Sequence, residues 1–106
     1  MQDENISRNR ARQWRDQAYN LARLAGDVHQ CAYAAAGGRE FEREVLQLCA
    51  ATADKAAALA ARAAKNARRA VHPHTMAGAG AADSAAADAA HAKQIAATLQ
   101  SIAGSV

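Results

Sequence analysis

Apolar residues in the first third of the chain recur on a seven-residue grid. An alanine occupies every first position of the grid, and an apolar residue that is usually larger follows three residues later. The alanines are Ala11, Ala18, Ala25 and Ala32, and the residues that follow them are Trp14, Leu21, Val28 and Ala35. Such a heptad is typical of helices packed side by side. The pattern predicts a first helix over residues 3–36, ended by Gly37-Gly38.

The second segment has an apolar stripe that repeats every 3.6 residues and predicts a fairly straight helix over residues 39–71. The stripe consists of Phe41, Val45, Leu48, Thr52, Ala56, Leu59, Ala63, Ala67 and Ala70. Glutamates lie in its first turns and basic residues in its last, which complements the helix dipole at both ends. We expect Pro73 to end this helix, because proline disfavours helix in the residue before it.

A third helix is predicted over residues 83–103, after a flexible connection over residues 72–82. The connection contains Pro73 and two glycines, and Asp83 or Ser84 is a suitable N-cap. Large apolar residues appear late in this helix, at Ile95, Leu99 and Ile102. We therefore expect it to dock mainly through its C-terminal half.

These elements predict an all-α protein with a single domain over residues 1–106. The first two helices have similar lengths and a two-glycine link, so they should form an antiparallel hairpin. The third helix would return alongside them and complete a three-helix bundle. Alternatively, two hairpins could dimerise into a four-helix core, with the third helices outside.

Composition changes this picture, because alanine fills 33 of the 106 positions. An alanine methyl group contributes far less on burial than a large aliphatic side chain, so a monomer would have a thin core. We therefore predict self-association, with a dimer favoured, or a helical protein partner. The residues predicted for this assembly interface are Trp14, Ala18, Leu21, Ala25, Val28, Leu48, Thr52 and Leu59.

Charge is the second feature that bears on function. The net charge is +3, but in the hairpin, where residue i should face roughly residue 75 minus i, eight basic residues collect at one end. They are Arg8, Arg10, Arg12, Arg15, Arg62, Lys65, Arg68 and Arg69. A positive cluster of this kind attracts polyanions such as nucleic acid. The alternative is an ordinary solvated surface with the cations that helix C-termini favour.

Candidate chemistry is sparse. The sequence has no HExxH, GxSxG, CxxC or glycine-rich phosphate motif, so we predict no catalytic residue. The same register offsets Cys31 and Cys49 by about five residues, or roughly 7–8 Å, which predicts no disulfide. His72 and His74 supply too few ligands for a closed metal site, so no metal or cofactor is predicted.

Taken together, the residues favour a non-enzymatic, self-associating helical bundle that serves as an adaptor, scaffold or regulatory partner. A small protein that binds nucleic acid or an anionic surface is the first alternative. A bundle that holds a small ligand in a cavity left by its alanines is the second. The N-terminus lacks a signal-peptide pattern, no stretch is apolar enough to span a membrane, and cysteines are few, so we expect a cytoplasmic protein.

Overall fold

The computed structural model describes residues 2–35 and 40–105 as a bundle of three helices. The helices are α1 (Gln2–Ala35), α2 (Glu40–Ala70) and α3 (Ala79–Ser105), and each packs against both others. The bundle is a thin rod whose Cα atoms extend over 59 × 15 × 14 Å. The described residues contain no strand. The predicted all-α class and three-helix bundle are therefore confirmed.

The alanine grid of α1 faces the inside of the bundle. Ala11, Ala18, Ala25 and Ala32 are completely buried, whereas the larger Leu21 and Val28 are only half-buried at the edge of the core. A methyl group at the centre lets two helix backbones approach closely, and a larger side chain there would force them apart. Gly37-Gly38, predicted to end α1, and the side chain of Phe41, predicted for the stripe of α2, lie outside the described residues.

The connection between α2 and α3 is shorter than predicted, because α3 begins at Ala79 rather than near Asp83. The backbone N–H of Met76 donates to the carbonyl of His72 (3.0 Å), and the N–H of Ala82 donates to the carbonyl of Gly78 (3.0 Å). Gly78 has a φ of 92°, a conformation that favours glycine, and it lies directly against α1. The turn therefore fixes the start of α3 directly after Gly78, and the predicted caps Asp83 and Ser84 lie inside the helix.

Helix α3 docks along its whole length, so the expectation that its C-terminal half would dominate is wrong. Its buried residues repeat every three or four positions from one end to the other: Ala82, Ala85, Ala89, Ala92, Ala96, Leu99 and Ala103. Six of these seven are alanines. The prediction relied on the large apolar residues, which lie late in the helix, and so overlooked the contact that alanines make in its first half. The only large side chains buried to below 2% exposure among the described residues are Leu46 and Leu99.

Candidate functional site

A groove on the surface of the bundle runs between α1 and α2, and it is lined by residues of these two helices alone. The candidate sites lie along this groove. Its volume is about 380 Å³. The residues that line it are Trp14, Gln17, Asn20, Leu21, Leu59, Arg62, Ala63 and Asn66. The groove is centred near residue 18 of α1 and residue 62 of α2. A residue of α1 and the residue of α2 at the same height along the rod therefore have numbers that sum to about 80. The predicted sum of 75 is therefore wrong by about five residues.

We call the outward surface of the hairpin along this groove the α1–α2 face. Residues seven apart lie on the same side of a helix, so the face continues beyond the groove. Leu24 lies seven residues after Gln17, Val45 lies fourteen before Leu59, and Leu48 lies fourteen before Arg62. The face therefore carries a patch of large apolar side chains towards the end at which α1 finishes and α2 begins. The large apolar residues of this patch are Leu21, Leu24, Val28, Val45, Leu48 and Leu59.

Much of this apolar patch is exposed. The exposed fraction is 68% for Leu48, 45% for Leu24, 41% for Val45 and 40% for Leu59. At the same levels of the bundle, most of the buried residues are alanines such as Ala25 and Ala53, both completely buried, and the large side chains buried to below 2% exposure among the described residues are Leu46 and Leu99. The hairpin thus has its small apolar residues inside and many of its large ones outside. A cluster of exposed large apolar side chains is typical of an interaction surface.

The residues predicted for assembly divide between the core and this face. Ala18 and Ala25 are buried inside the chain's own bundle, where they pack helix against helix. Leu48 and Leu59 are exposed on the α1–α2 face, and Thr52, whose hydroxyl donates to the carbonyl of Leu48 (2.8 Å), lies one turn from Leu48. The half-buried members are Trp14 and Leu21, which line the groove, and Val28, which packs against the core. The predicted interface omitted Leu24 and also Val45, which was predicted only for the apolar stripe of α2, although their spacing from Gln17 and Leu59 places both on this face.

The eight basic residues do lie towards one end of the bundle, but they are spread around it. Lys65 and Arg68 border the groove between α2 and α3. Arg15 borders the groove between α1 and α3, and Arg12, seven residues before Tyr19 of that side, also points there. Three of the eight lie on the α1–α2 face. Arg62 lines the groove, Arg10 lies seven residues before Gln17 of the groove, and Arg69 lies seven residues after Arg62.

Some of these cations are paired with acidic groups. Arg8 contacts Glu4 (3.8 Å), and Arg15 contacts its neighbour Asp16 (3.1 Å). Arg68 pairs with Asp83 across α2 and α3. All three pairs are at least partly exposed to solvent, so each adds little stability. The other five, Arg10, Arg12, Arg62, Lys65 and Arg69, have no ion pair with any carboxylate in the described part of the chain.

The two cysteines lie level with each other on the α1–α2 face. Cys31 lies seven residues after Leu24 and Cys49 lies fourteen before Ala63, so both are on this face. Their residue numbers sum to 80, which is the sum for residues at the same height along the groove. The predicted offset of five residues between them is therefore wrong. Cys31 is exposed and Cys49 is half-buried. Burial raises the pKa of the Cys49 thiol, and the negative charge of a neighbouring Cys31 thiolate raises it further.

Other chemistry has little support among the described residues. They include no group of three or more His, Cys, Asp or Glu side chains placed to hold a metal ion. His72 uses its Nδ1 atom to accept hydrogen bonds from the N–H groups of His74 (3.2 Å) and Thr75 (3.1 Å), which stabilise the turn. A second groove of about 530 Å³ between α2 and α3 is lined mainly by alanines, with Asp54 and Lys93 as its charged residues. No helix within the described ranges is both long and apolar enough to cross a membrane.

Comparison with protein families, with curated proteins and with solved structures gave no match to this chain.

Proposed function

We propose that this protein is a non-enzymatic helical bundle that self-associates through the α1–α2 face and acts as a scaffold or adaptor. In the proposed dimer, the hairpins of two copies pack face to face, and each α3 lies outside the resulting four-helix core. The observation that supports this proposal is the exposure of Leu24, Val45, Leu48 and Leu59 on one face while alanines fill most of the interior.

The free energy available from this face is substantial for a small protein. Complete burial of a leucine side chain contributes about 1.5–3 kcal/mol, so covering Leu48, which is 68% exposed, would contribute about 1–2 kcal/mol. The other three side chains are 40–45% exposed, and each would add roughly half to two thirds of that amount. Half-buried Trp14 and Leu21 would add to this total, because both border the same groove.

The area of the face also suits a stable dimer. Helix α2 has 31 residues, which gives a length of about 46 Å at about 1.5 Å per residue. Two adjacent helices, each about 10 Å wide, give a width of about 20 Å. The resulting area of about 900 Å² agrees with the roughly 800 Å² that each partner contributes to a standard interface.

We propose that the two copies run antiparallel about a twofold axis perpendicular to the rod. A parallel arrangement would place Arg10, Arg62 and Arg69 of both copies at the same end, where like charges repel each other. An antiparallel arrangement separates these two groups along the rod. Twofold dimers are also the commonest closed assemblies, because one surface supplies both halves of the interface.

Equilibrium sedimentation over a range of concentrations tests this proposal. We expect a monomer–dimer equilibrium for the wild-type chain and a shift towards monomer for Leu48→Lys, which places a charge in the apolar patch of the face. Tyr19→Lys is the matched control, because Tyr19 is 51% exposed but borders the grooves with α3. It should dimerise like the wild type.

Two results would contradict the dimer. A wild-type chain that is monomeric at all concentrations would leave the face for a helix of another protein, the alternative that the sequence also predicts. Equal dimerisation of Leu48→Lys and wild type would show that the chain associates through a different surface.

A second candidate function is binding of a polyanion such as nucleic acid, and one observation favours it. Arg10, Arg62 and Arg69 lie on the α1–α2 face beside half-buried Trp14, and no described carboxylate pairs with them. Arginine suits phosphate groups because its planar guanidinium donates two parallel hydrogen bonds.

Binding to a short single-stranded oligonucleotide at several salt concentrations tests this second function. If the three arginines contact phosphates, replacing all three with Gln should lower the slope of log affinity against log salt by about two, at roughly 0.7 per phosphate contact. The control replaces Arg23, Arg43 and Lys93 with Gln, which removes the same charge elsewhere. Equal loss in both variants, or no binding at low salt, would exclude a site on this face.

A further inference from the structure

We propose that Cys31 and Cys49 are a thiol pair that forms a reversible disulfide between α1 and α2 by exchange with a small-molecule disulfide such as oxidised glutathione. The two side chains lie level on the α1–α2 face, one exposed and one half-buried. This modification site is separate from the proposed dimerisation, although it lies on the same face.

The packing next to the cysteines brings the two backbones close together. Ala32 follows Cys31 and Ala50 follows Cys49, and both alanines are buried in the core at 0% and 2% exposure. Helix axes about 8–10 Å apart, each with its Cα atoms about 2.3 Å off the axis, place directly facing Cα atoms about 3.4–5.4 Å apart. Buried Ala32 and Ala50 occupy the seam, so the Cα atoms of Cys31 and Cys49, which lie beside it, are further apart than directly facing ones. We therefore expect their separation to fall within the range of about 4.4–6.8 Å that a disulfide requires.

Both cysteines also point towards the same side of the hairpin. In antiparallel helices, the residues that precede two level core positions lie on the same flank, because the helices rotate in opposite senses when viewed from one end. Cys31 precedes Ala32 and Cys49 precedes Ala50, and in both helices this flank is the α1–α2 face. Cys49 packs against the core while Cys31 reaches solvent.

Their environments assign the order of reaction. The exposed Cys31 is accessible to a dissolved disulfide, whereas Cys49 is partly covered and its raised pKa keeps it protonated. Once Cys31 is bound in a mixed disulfide, it carries no negative charge. The charge effect that helps to raise the pKa of Cys49 is then removed, so Cys49 ionises more readily at this stage.

The reaction has two exchange steps that balance. The Cys31 thiolate attacks one sulfur of the small disulfide, whose S–S bond breaks and releases one thiolate that takes a proton from solvent. Cys49 then loses its proton to solvent and attacks the Cys31 sulfur, which releases the second small thiolate. The two protein thiols are oxidised to one disulfide, and the small disulfide is reduced to two thiols.

Incubation of the reduced protein in glutathione redox buffers, followed by mass spectrometry of alkylated samples, tests the proposal. The chain with the internal disulfide should take up no alkyl group and should be about 2 Da lighter than the unalkylated reduced chain, because two hydrogens are lost. Its digest should contain one cross-linked peptide pair that includes Cys31 and Cys49. Dithiothreitol should reverse it. Cys49→Ser should stop at the mixed disulfide on Cys31, and Cys31→Ser should react more slowly.

The same experiment on a Leu59→Lys variant separates this proposal from the dimer, because Leu59 lies on the same face but ten residues from Cys49, too far for the new charge to act directly on the thiol. If the proposed dimer covers the cysteines, the variant should oxidise faster than the wild type, and if no dimer exists, both should oxidise equally. The disulfide proposal is overturned if the wild type and the variant accumulate only glutathione adducts or only disulfides between two chains.

Discussion

Enlarging one alanine at the centre of the bundle is the most direct test of the packing. Ala25 belongs to the seven-residue grid of α1, is completely buried, and lies in the core cluster shared by all three helices. Ala25→Leu adds three carbon atoms at a point where the neighbouring side chains are also methyl groups, such as those of Ala53 and Ala92. Leucine and alanine have similar helix propensities, so the change acts on packing and leaves the helix itself nearly unaffected.

Two opposing effects determine the result. If the core could accept the side chain, burial of three more carbons would stabilise the fold by about 2.4 kcal/mol, at about 0.8 kcal/mol per carbon. The backbones approach closely around a completely buried alanine, so the helices must instead separate or the leucine must adopt a strained rotamer. Overpacking of this kind costs typically about 1–3 kcal/mol in total. We therefore expect Ala25→Leu to lower the free energy of unfolding by about that amount.

Urea denaturation followed by circular dichroism at 222 nm, at two protein concentrations, measures this change. Ala87→Leu is the matched control, because Ala87 is exposed on α3 and the substitution is the same. It should change the free energy of unfolding by less than about 0.5 kcal/mol. An Ala25→Leu protein as stable as the wild type, or more stable, would refute the close packing of the helices around the alanine seam.

Three further predictions concern single positions and the cysteine pair. Leu99→Ala should lower the free energy of unfolding by about 2–5 kcal/mol in urea titrations, because it leaves a cavity where a large side chain is almost completely buried. Gly78→Ala should lower the melting temperature, because a Cβ atom there would lie 2.9 Å from an alanine Cβ of α1 and φ is 92°. Gly26→Ala is the matched control: no atom lies within 4 Å of the added Cβ, so the change should raise the free energy of unfolding by about 0.5–1 kcal/mol. Oxidation of Cys31 and Cys49 should raise the melting temperature, since closing a loop of this length restricts the unfolded chain by about 3 kcal/mol, and Cys31→Ser should remove the difference between oxidised and reduced samples.

The helices and the inward face of α1 could be predicted from sequence, because a strict heptad determines which side of a helix is buried. The register of the hairpin could not. The repeat specifies that Ala25 points inward, but it leaves open how far α2 is shifted along α1, since a shift of one or two turns preserves most apolar contacts. The structure places Cys31 level with Cys49, and only this shift reveals the thiol pair. The start of α3 was also unpredictable from caps, because it depends on Gly78 packing against α1.

Over most of α2, side-chain size, more than hydrophobicity, decides which apolar residues are buried. The predicted stripe of α2 combined Val45 and Leu59, which are exposed, with Ala56 and Ala63, which are buried at 2% exposure each; Leu46, near the start of the helix, is the one large side chain of α2 buried to below 2% exposure among the described residues. Elsewhere the seam brings the helices close together around methyl groups, so the larger side chains lie on the flank, along the helix contact. The seam therefore fixes the geometry of the hairpin but supplies little burial, and the flank carries the apolar area that a second copy could cover. A substitution that widens the seam should consequently displace Leu59 as well, so that stability and association decrease together.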